Sequence, residues 1–448
     1  MTLLKHRENF MFKYYLKLSL IKAKNSVLSY SLMVFALALG IGVSMTMITL
    51  NYLMAQDPIP EKSHVLHHVQ LYSYGKGHSN TRSPDGFPYQ LTYTDINNIH
   101  QSKIPLRKTR SLSTGFTVKP ENPSIRPFMT NARAIDSDFF TMFNTPFLYG
   151  GPWTATTDLY SHKEVVLTKA LNDKLFKGEN SVGRTTQFNN EAFKIVGVLD
   201  EWEPTPHFYD LNNQHFGETD SAFVPFSLIP VMQLPSWGNN NGWKSEQVNS
   251  YEDKLRSEIV WLQYWVELSS EEQKTKYQNY LEGYISGQKE LGRFTHERAG
   301  ASLKNVKEWL QYNEVVDKDT AILLIISFMF LAVCIINAVT MLLSKFLQRA
   351  PEVGVRRALG ASRSQIFYQH IVDVSLIGIG GCLVGVAIGQ LGLFAVRELY
   401  PDYRQLAQMD FSLIIFALLL SLGSSFLSGL YPAWKICRTN PSIYLKLQ

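Results

Sequence analysis

The sequence predicts an α-helical membrane protein: four transmembrane helices, with a large α/β or α+β extracytoplasmic domain between the first and the second. Three observations carry that reading. Four long runs lack a charged side chain, a polar segment of about 260 residues separates the first run from the others, and Lys and Arg cluster beside the runs. Whole-chain averages conceal this pattern. The 448 residues are 45% hydrophobic and 18% charged, with a net charge of +5 and a mean hydropathy of −0.08, values that on their own describe a mildly basic soluble protein. An aromatic content of 12% excludes a disordered or collagen-like chain, and three cysteines exclude a disulfide scaffold.

The first run, residues 25–56, is about 32 residues long where a membrane helix needs about 20. It is too long for a signal-peptide core and no A-x-A site ends it, so it is expected to remain as an anchor. The other runs, residues 320–344, 374–396 and 411–434, hold about 23 to 25 residues each. Buried helices of soluble proteins rarely extend so far without a charge. Orientation follows from the flanks. Residues 1–24 carry Lys5, Arg7, Lys13, Lys17, Lys22 and Lys24; residues 345–373 carry Lys345, Arg349, Arg356, Arg357 and Arg363; residues 435–448 carry Lys435, Arg438 and Lys446. Only Glu8, Glu352 and Asp373 oppose them, leaving about +11 on segments that the positive-inside rule places in the cytoplasm with both termini. Residues 57–319, at about −5, and the short loop 397–410, at about −1, then lie outside. The net +5 is thus a difference between two faces and implies no affinity for nucleic acid.

The outer segment reads as a folded domain. Residues 128–135 and 193–199 pattern as strands, and residues 136–143 and 169–176 as short amphipathic helices. Ser270 before Glu271 and Glu272 predicts a capped helix running toward residue 291. Residues 305–316 pattern as a helix that would continue into the second span as a rigid stalk, and residues 235–245 (PSWGNNNGWKS) look least ordered. No internal repeat has a fixed period. Cys334, Cys382 and Cys437 all fall in or beside the membrane part, so no disulfide is expected outside.

The chain contains no G-x-x-x-x-G-K-[ST] phosphate loop, G-x-S-x-G elbow, C-x-x-C or H-E-x-x-H. Gradient-driven carriers place ionisable groups within their spans, and the four runs have none, so the expected energy source is a partner. His64, His67 and His68 could hold a metal or simply flank the membrane. Asp200, Glu201, Glu203 and His207 could do acid–base work or form a solvated loop. Gly381, Gly385 and Gly389 form two overlapping G-x-x-x-G units that admit a closely packed helix, from this chain or from a second copy. Residues 11–25 are basic and read as an amphipathic helix on the inner leaflet, a gating elbow or a plain anchor.

Residues 345–373 are the sharpest feature. A loop that only reverses the chain does not need about 30 residues. Here Glu352, Arg356 and Arg357 can share a short helix that Gly360 ends, which suggests a docking element.

That stretch, Glu352-Val353-Gly354-Val355-Arg356-Arg357-Ala358-Leu359-Gly360-Ala361, resembles the E-[IV]-G-[IV]-R-[KR]-A-[LI]-G-A signature of type VII ABC transporter permeases, the FtsX/MacB superfamily. Tyr431-Pro432-Ala433-Trp434 and Asn440-Pro441 are similar to that family's closing element. In the outer segment, Ala134-Ile135-Asp136-Ser137-Asp138-Phe139-Phe140, Lys163 to Thr168 and Phe193 to Leu199 resemble the MacB-type periplasmic core domain. The resemblance implies a non-catalytic, dimerising permease in the bacterial inner membrane. It also implies an ATPase contact at Glu352, Gly354, Arg356, Arg357, Ala358, Leu359, Gly360 and Ala361, with ATP and Mg bound by the separate ATPase and no cofactor held by this chain. In the family, ATP-driven helix movement is relayed to the outer domain, termed mechanotransmission. Export of a drug, peptide or toxin is the implied function, with a second or related permease, a periplasmic adaptor, an outer-membrane channel and membrane lipid as partners. Lipoprotein extraction and activation of a cell-wall hydrolase are the alternatives within the superfamily. Ile436 and Cys437 depart from the family's small alanines, and Asp373 stands where Glu is common.

Overall fold

The computed structural model describes residues 2–213, 215–217, 219–316, 318–400, 409 and 411–438. Asn440, Pro441 and most of the loop 397–410 lie outside the described residues. The chain divides into two compact units: one runs from Gln56 to Val315, and the other joins the residues before it to those after it.

The discontinuous unit is helical. It opens with α1 (Thr2–Asn25) and α2 (Val27–Met54), separated at Ser26, where ψ of 48° leaves the helical region. Its second half comprises α11 (Lys318–Gln348), α12 (Ala350–Ala358), α13 (Arg363–Leu399) and α14 (Phe411–Arg438). Four of these helices, α2, α11, α13 and α14, are long and apolar enough to cross a membrane. The third differs from its charge-free run. It begins at Arg363, so Gln369, His370 and Asp373 lie inside a continuous helix rather than in a loop before it. α1 is a single helix that carries Lys22 and Lys24 in its last turn.

Small residues and hydroxyls hold this unit together. The glycine stripe of α13 packs on α2: a Cβ on Gly385 would lie 3.0 Å from Ile41 Cγ2, and one on Gly42 of α2 would lie 2.6 Å from Ile388 Cγ2. Gly381 faces Leu37, and Gly389 faces the carbonyl of Gly42. At Gly42 and Gly385 a side chain would force the helices apart. Ser421 Oγ of α14 donates to the Gly378 carbonyl at 2.7 Å, and Ser44 Oγ of α2 donates to the Ser327 carbonyl of α11 at 3.1 Å. Cys334, Cys382 and Cys437 are buried here as free thiols.

The continuous unit contains β1 (Leu66–Leu71), α3 (Tyr93–Ile99), β2 (Arg107–Lys119), β3 (Phe128–Ile135), α4 (Asp138–Met142), β4 (Phe147–Gly150), α5 (Ala155–Tyr160), β5 (Glu164–Leu167), α6 (Lys169–Phe176), β6 (Thr185–Phe188) and β7 (Glu191–Leu199). It continues with β8 (Ala222–Pro225), α7 (Leu228–Met232), α8 (Tyr251–Arg256), β9 (Gln263–Glu267), α9 (Glu271–Glu290), β10 (Ala301–Asn305) and α10 (Val306–Tyr312). The strands form one ten-stranded sheet ordered β10-β1-β9-β2-β3-β8-β5-β7-β4, with β6 beside β2 and β7. Among the described residues only β3–β8 and β5–β7 pair in parallel, so the domain is α+β. The short link from β2 to β3 explains the choice, since antiparallel neighbours need no crossover helix.

Aromatic side chains fill the core. Phe116 of β2 stacks on Phe188 at 5.1 Å and meets Phe193 edge-on at 5.9 Å. Tyr277, Leu281 and Ile285 of α9 recur every fourth residue and are buried against the sheet. Ser270 Oγ caps that helix by accepting from the Gln273 amide at 3.2 Å. Two expectations fail. Residues 235–245 are pinned: Trp237 covers Gly115, where a Cβ would meet its ring at 2.1 Å, and Trp243 covers Gly75 in the same way at 2.4 Å. The stalk is not one helix either. α10 ends at Tyr312, and Glu314 follows with φ of 48°, a left-handed conformation that no α-helix continues through.

Candidate functional site

The loop between the second and third apolar helices folds around α12. Pro351 stands in its first turn, where a missing N–H costs nothing. Glu352 and Arg356 pair one turn apart, Nη2 to Oε1 at 2.6 Å, and Arg357 follows on the same helix. Gly360 ends the helix with φ of 101°. Its amide donates to the Arg357 carbonyl at 3.1 Å, and the Ala361 amide donates to the Arg356 carbonyl at 3.0 Å. These two bonds form a Schellman cap, which requires the left-handed residue that glycine supplies. Ser362 then caps α13 in a reciprocal box with Gln365.

One side of α12 is tied down. Ala350 and Gly354 are buried, Val353 and Ala361 pack on the bundle core, and Arg356 Nη1 donates to Gln369 Oε1 of α13 at 3.1 Å. The other side is open: Glu352, Val355, Ala358, Leu359 and Gly360 are exposed, with Leu359 at 83%. Val355 and Leu359 are one turn apart, so a small apolar patch sits beside the Glu352–Arg356 pair. The sequence reading omitted Val355; its signal was its i, i+4 spacing from Leu359. A rigid, exposed helix with an apolar patch and an ion pair is suited to docking a protein partner.

A second set of residues escaped the sequence reading. Asp373 of α13, 1% exposed, accepts a hydrogen bond from Ser19 Oγ and lies 3.2 Å from Lys22 Nζ, both on α1. His370 Nδ1 stands 3.8 Å from the same carboxylate. The signal available was a lone acid at the head of an apolar run, with Ser19 and Lys22 one helical turn apart.

The outer unit offers no reactive constellation in the places the sequence suggested. Asp200 and Glu201 are solvent-facing and pair with Lys169 at 3.7 and 2.9 Å, while His207 is buried beside the Tyr209 ring. Burial depresses the His207 imidazole to about 4. His64 is exposed ahead of β1, His67 is buried, and His68 stacks on Trp309 at 3.8 Å. The three do not converge on a point, and among the described residues no cluster of three such groups could hold a metal.

A cavity of about 590 Å³ lies elsewhere in the outer unit, lined in part by Tyr93, His100, Lys108, Arg110, Asp136 and Asp158. Asp136 accepts two bonds from the Arg110 guanidinium, at 2.6 and 3.0 Å, and that charge holds it below the usual carboxylate range despite its burial. Asp158 accepts from the Ser137 amide at 2.9 Å and from Trp153 Nε1 at 2.8 Å. Burial, then the Asp136 charge, push it up to about 6. Both carboxylates brace the turn into α4, so these contacts are accounted for by the fold.

The chain thus combines four helices long and apolar enough to cross a membrane with a mixed-sheet unit between the first and second and an exposed short helix between the second and third. Residues 30–284 match the MacB-like periplasmic core domain, and residues 324–441 match the FtsX-like permease C-terminal domain. The chain belongs to this MacB/FtsX family of ABC transporter permeases. It is 23% identical over 342 residues to the macrolide export ATP-binding/permease protein MacB of Syntrophobacter fumaroxidans, covering 69% of this chain and 46% of that protein. It is 24% identical over 312 residues to the uncharacterized ABC transporter permease YvrN of Bacillus subtilis, covering 68% of each. The chain spans about half the length of the MacB relatives it matches. The periplasmic region of MacB from Actinobacillus actinomycetemcomitans superposes with a TM-score of 0.36 at 14% identity, covering 57% of this chain and 97% of that one.

Proposed function

We propose that this chain is the permease subunit of an exporter and that a separate ATPase subunit docks on α12. The observation that carries the reading is the exposed patch of Val355 and Leu359 beside the Glu352–Arg356 pair, on a helix fastened to the bundle through Gln369. Nucleotide-driven movement of the ATPase would displace α12, and α13 would carry the displacement across the membrane to the outer domain. The chain itself performs no chemistry; its contribution is mechanical. The Lys and Arg bias supports a topology with α12 and both termini in the cytoplasm and residues 57–319 outside. Efflux is the favoured transport direction because relatives that the chain matches over most of its length are named as macrolide export proteins. Two permeases would complete the assembly, with an adaptor and an outer-membrane channel receiving the cargo.

The full chain co-expressed with its ATPase tests the reading. Glu352→Lys, which places a cation next to Arg356, is expected to lower the amount of ATPase recovered with the chain by about tenfold. Recovery and hydrolysis rate equal to wild type would overturn the docking assignment.

A further inference from the structure

The apolar helices of this protein hold few charged groups, and Asp373 is the one the fold buries most completely, at 1% exposure. A buried carboxylate in a membrane helix is costly unless it is paired, and its partners then mark where two elements must stay together. Here both partners come from α1, three residues apart in sequence and about 350 residues from Asp373: Ser19 donates to Oδ1, and Lys22 Nζ lies 3.2 Å from Oδ2 with its side chain 11% exposed. Spacing of three residues puts Ser19 and Lys22 on one side of α1, so the carboxylate is gripped as by two fingers.

The position of Asp373 on α13 gives this contact a further meaning. Gln369 lies about one turn earlier and receives the Arg356 guanidinium of α12 at 3.1 Å. His370, between them, packs its ring on Phe346 of α11 at a centroid distance of 4.1 Å and faces Asp373 at 3.8 Å. Two polar contacts therefore meet on neighbouring turns of α13: Arg356 of the Glu352–Arg356 pair on α12 reaches Gln369, and Ser19 and Lys22 of α1 reach Asp373. Each is a directional side-chain contact, and the backbone of α13 joins the two. We propose that Ser19 and Lys22 lock α1 to the third apolar helix through Asp373, so that α1 moves with α12 as part of the transmission and is more than an anchor. The proposal rests on the docking role of α12 for the source of the movement, whereas the lock itself does not.

Hydrogen exchange of the full chain in lipid nanodiscs, read on the amides of residues 13–24, tests the lock without any ATPase. Asp373→Asn removes the charge that Lys22 pairs with, and exchange of those amides is expected to rise about tenfold while the outer unit stays unchanged. Ser19→Ala keeps the charge pair and is expected to give about threefold. The reversed pair Lys22→Asp with Asp373→Lys is expected to recover most of the protection that either single change loses. If Asp373→Asn disturbs the bundle as a whole, Ser19→Ala and the reversed pair still decide the matter. Wild-type exchange in both Ser19→Ala and Asp373→Asn would overturn the lock.

A second arm adds the ATPase and its nucleotide. In wild type, hydrolysis should change protection of residues 13–24; in Asp373→Asn the ATPase should remain bound while that change disappears. If Glu352→Lys leaves the ATPase bound and active, the docking reading fails and the lock is still judged by the first arm. A hydrolysis-linked change that persists in Asp373→Asn would overturn the role of the lock in transmission.

Discussion

The two units of this chain achieve cohesion by opposite means. The outer domain buries large aromatic rings, among them Phe116, Phe188, Trp261 and Trp265, as a domain folding in water must. The membrane unit leaves its large apolar side chains outward, Ile322, Ile325, Met329 and Ile336 of α11 for example, and puts Gly, Ser and Thr where helices meet. In lipid an outward Leu loses nothing, so close approach and interhelical hydrogen bonds decide packing. The same polar group therefore means different things in the two places. The outer domain absorbs Arg133 between Asp210 and Asp220, at 2.5 and 2.6 Å, as internal bracing of its sheet. In the membrane unit a buried charge needs a stronger reason, and Asp373 has one in its grip on α1.

Mutations can break or sharpen this contrast. Phe116→Ala should cost the outer domain about 3–5 kcal/mol by opening a cavity among stacked rings, while leaving α11–α14 intact. Of the eight tryptophans, all but Trp434 lie in the outer unit, so tryptophan fluorescence on heating the full chain isolates that effect. The membrane unit should respond to the reverse change. Gly385→Val, which forces a side chain against Ile41 and the Ala38 carbonyl, should cost about 1–3 kcal/mol by overpacking, measured as unfolding in mixed detergent micelles.

A pH titration separates the units next. Burial holds His100 and His207 neutral down to about 4, so their contribution is fully present above the unfolded value near 6.5 and is lost as pH falls toward 4. Buried His68 acts in the same direction. Asp158 opposes them: raised to about 6, it contributes stability at low pH that is lost as pH rises through 6. Desolvation of His67 and His215 adds to the histidine side and that of Asp138 and Asp210 to the carboxyl side. The histidines prevail, and the outer domain should be less stable at pH 4 than at pH 6.5, with about 2–3 kcal/mol lost at each of the two histidines at about 4. Thermal midpoints across that range measure it. A midpoint that rises on acidification would contradict the balance. Ser421→Ala, which removes one hydroxyl bond to the Gly378 carbonyl, should cost about 0.6 kcal/mol in the membrane unit. Lys169→Ala, at an exposed pair with Glu201, should leave the thermal midpoint of the outer domain at its wild-type value.

Local features of both units are readable from sequence because their causes are local. The apolar runs mark α2, α11, α13 and α14; the β-branched run 193–199 marks most of β7; Ser270 marks the start of α9; and Gly360 marks the end of α12. The features that escape depend on distant neighbours. The loop 235–245 is ordered because Trp237 and Trp243 close over Gly115 and Gly75, far away in the chain, and its polar composition carries no trace of that. The break after α10 turns on one left-handed residue, Glu314, of a type that seldom adopts that conformation. At the candidate site, Glu352, Arg356, Leu359 and Gly360 share one short segment and were legible together. Asp373 was visible only as an isolated acid, because its partners Ser19 and Lys22 lie at the other end of the sequence.

The central claim is that the exposed end of α12 touches an ATPase. A photoreactive residue placed at Leu359 of the full chain in native membranes tests it directly. Irradiation should yield one major adduct, to a protein carrying a phosphate-binding loop, and Leu359→Arg at the same site should abolish its co-purification. Adducts to lipid alone, together with unchanged co-purification in Leu359→Arg, would contradict the account.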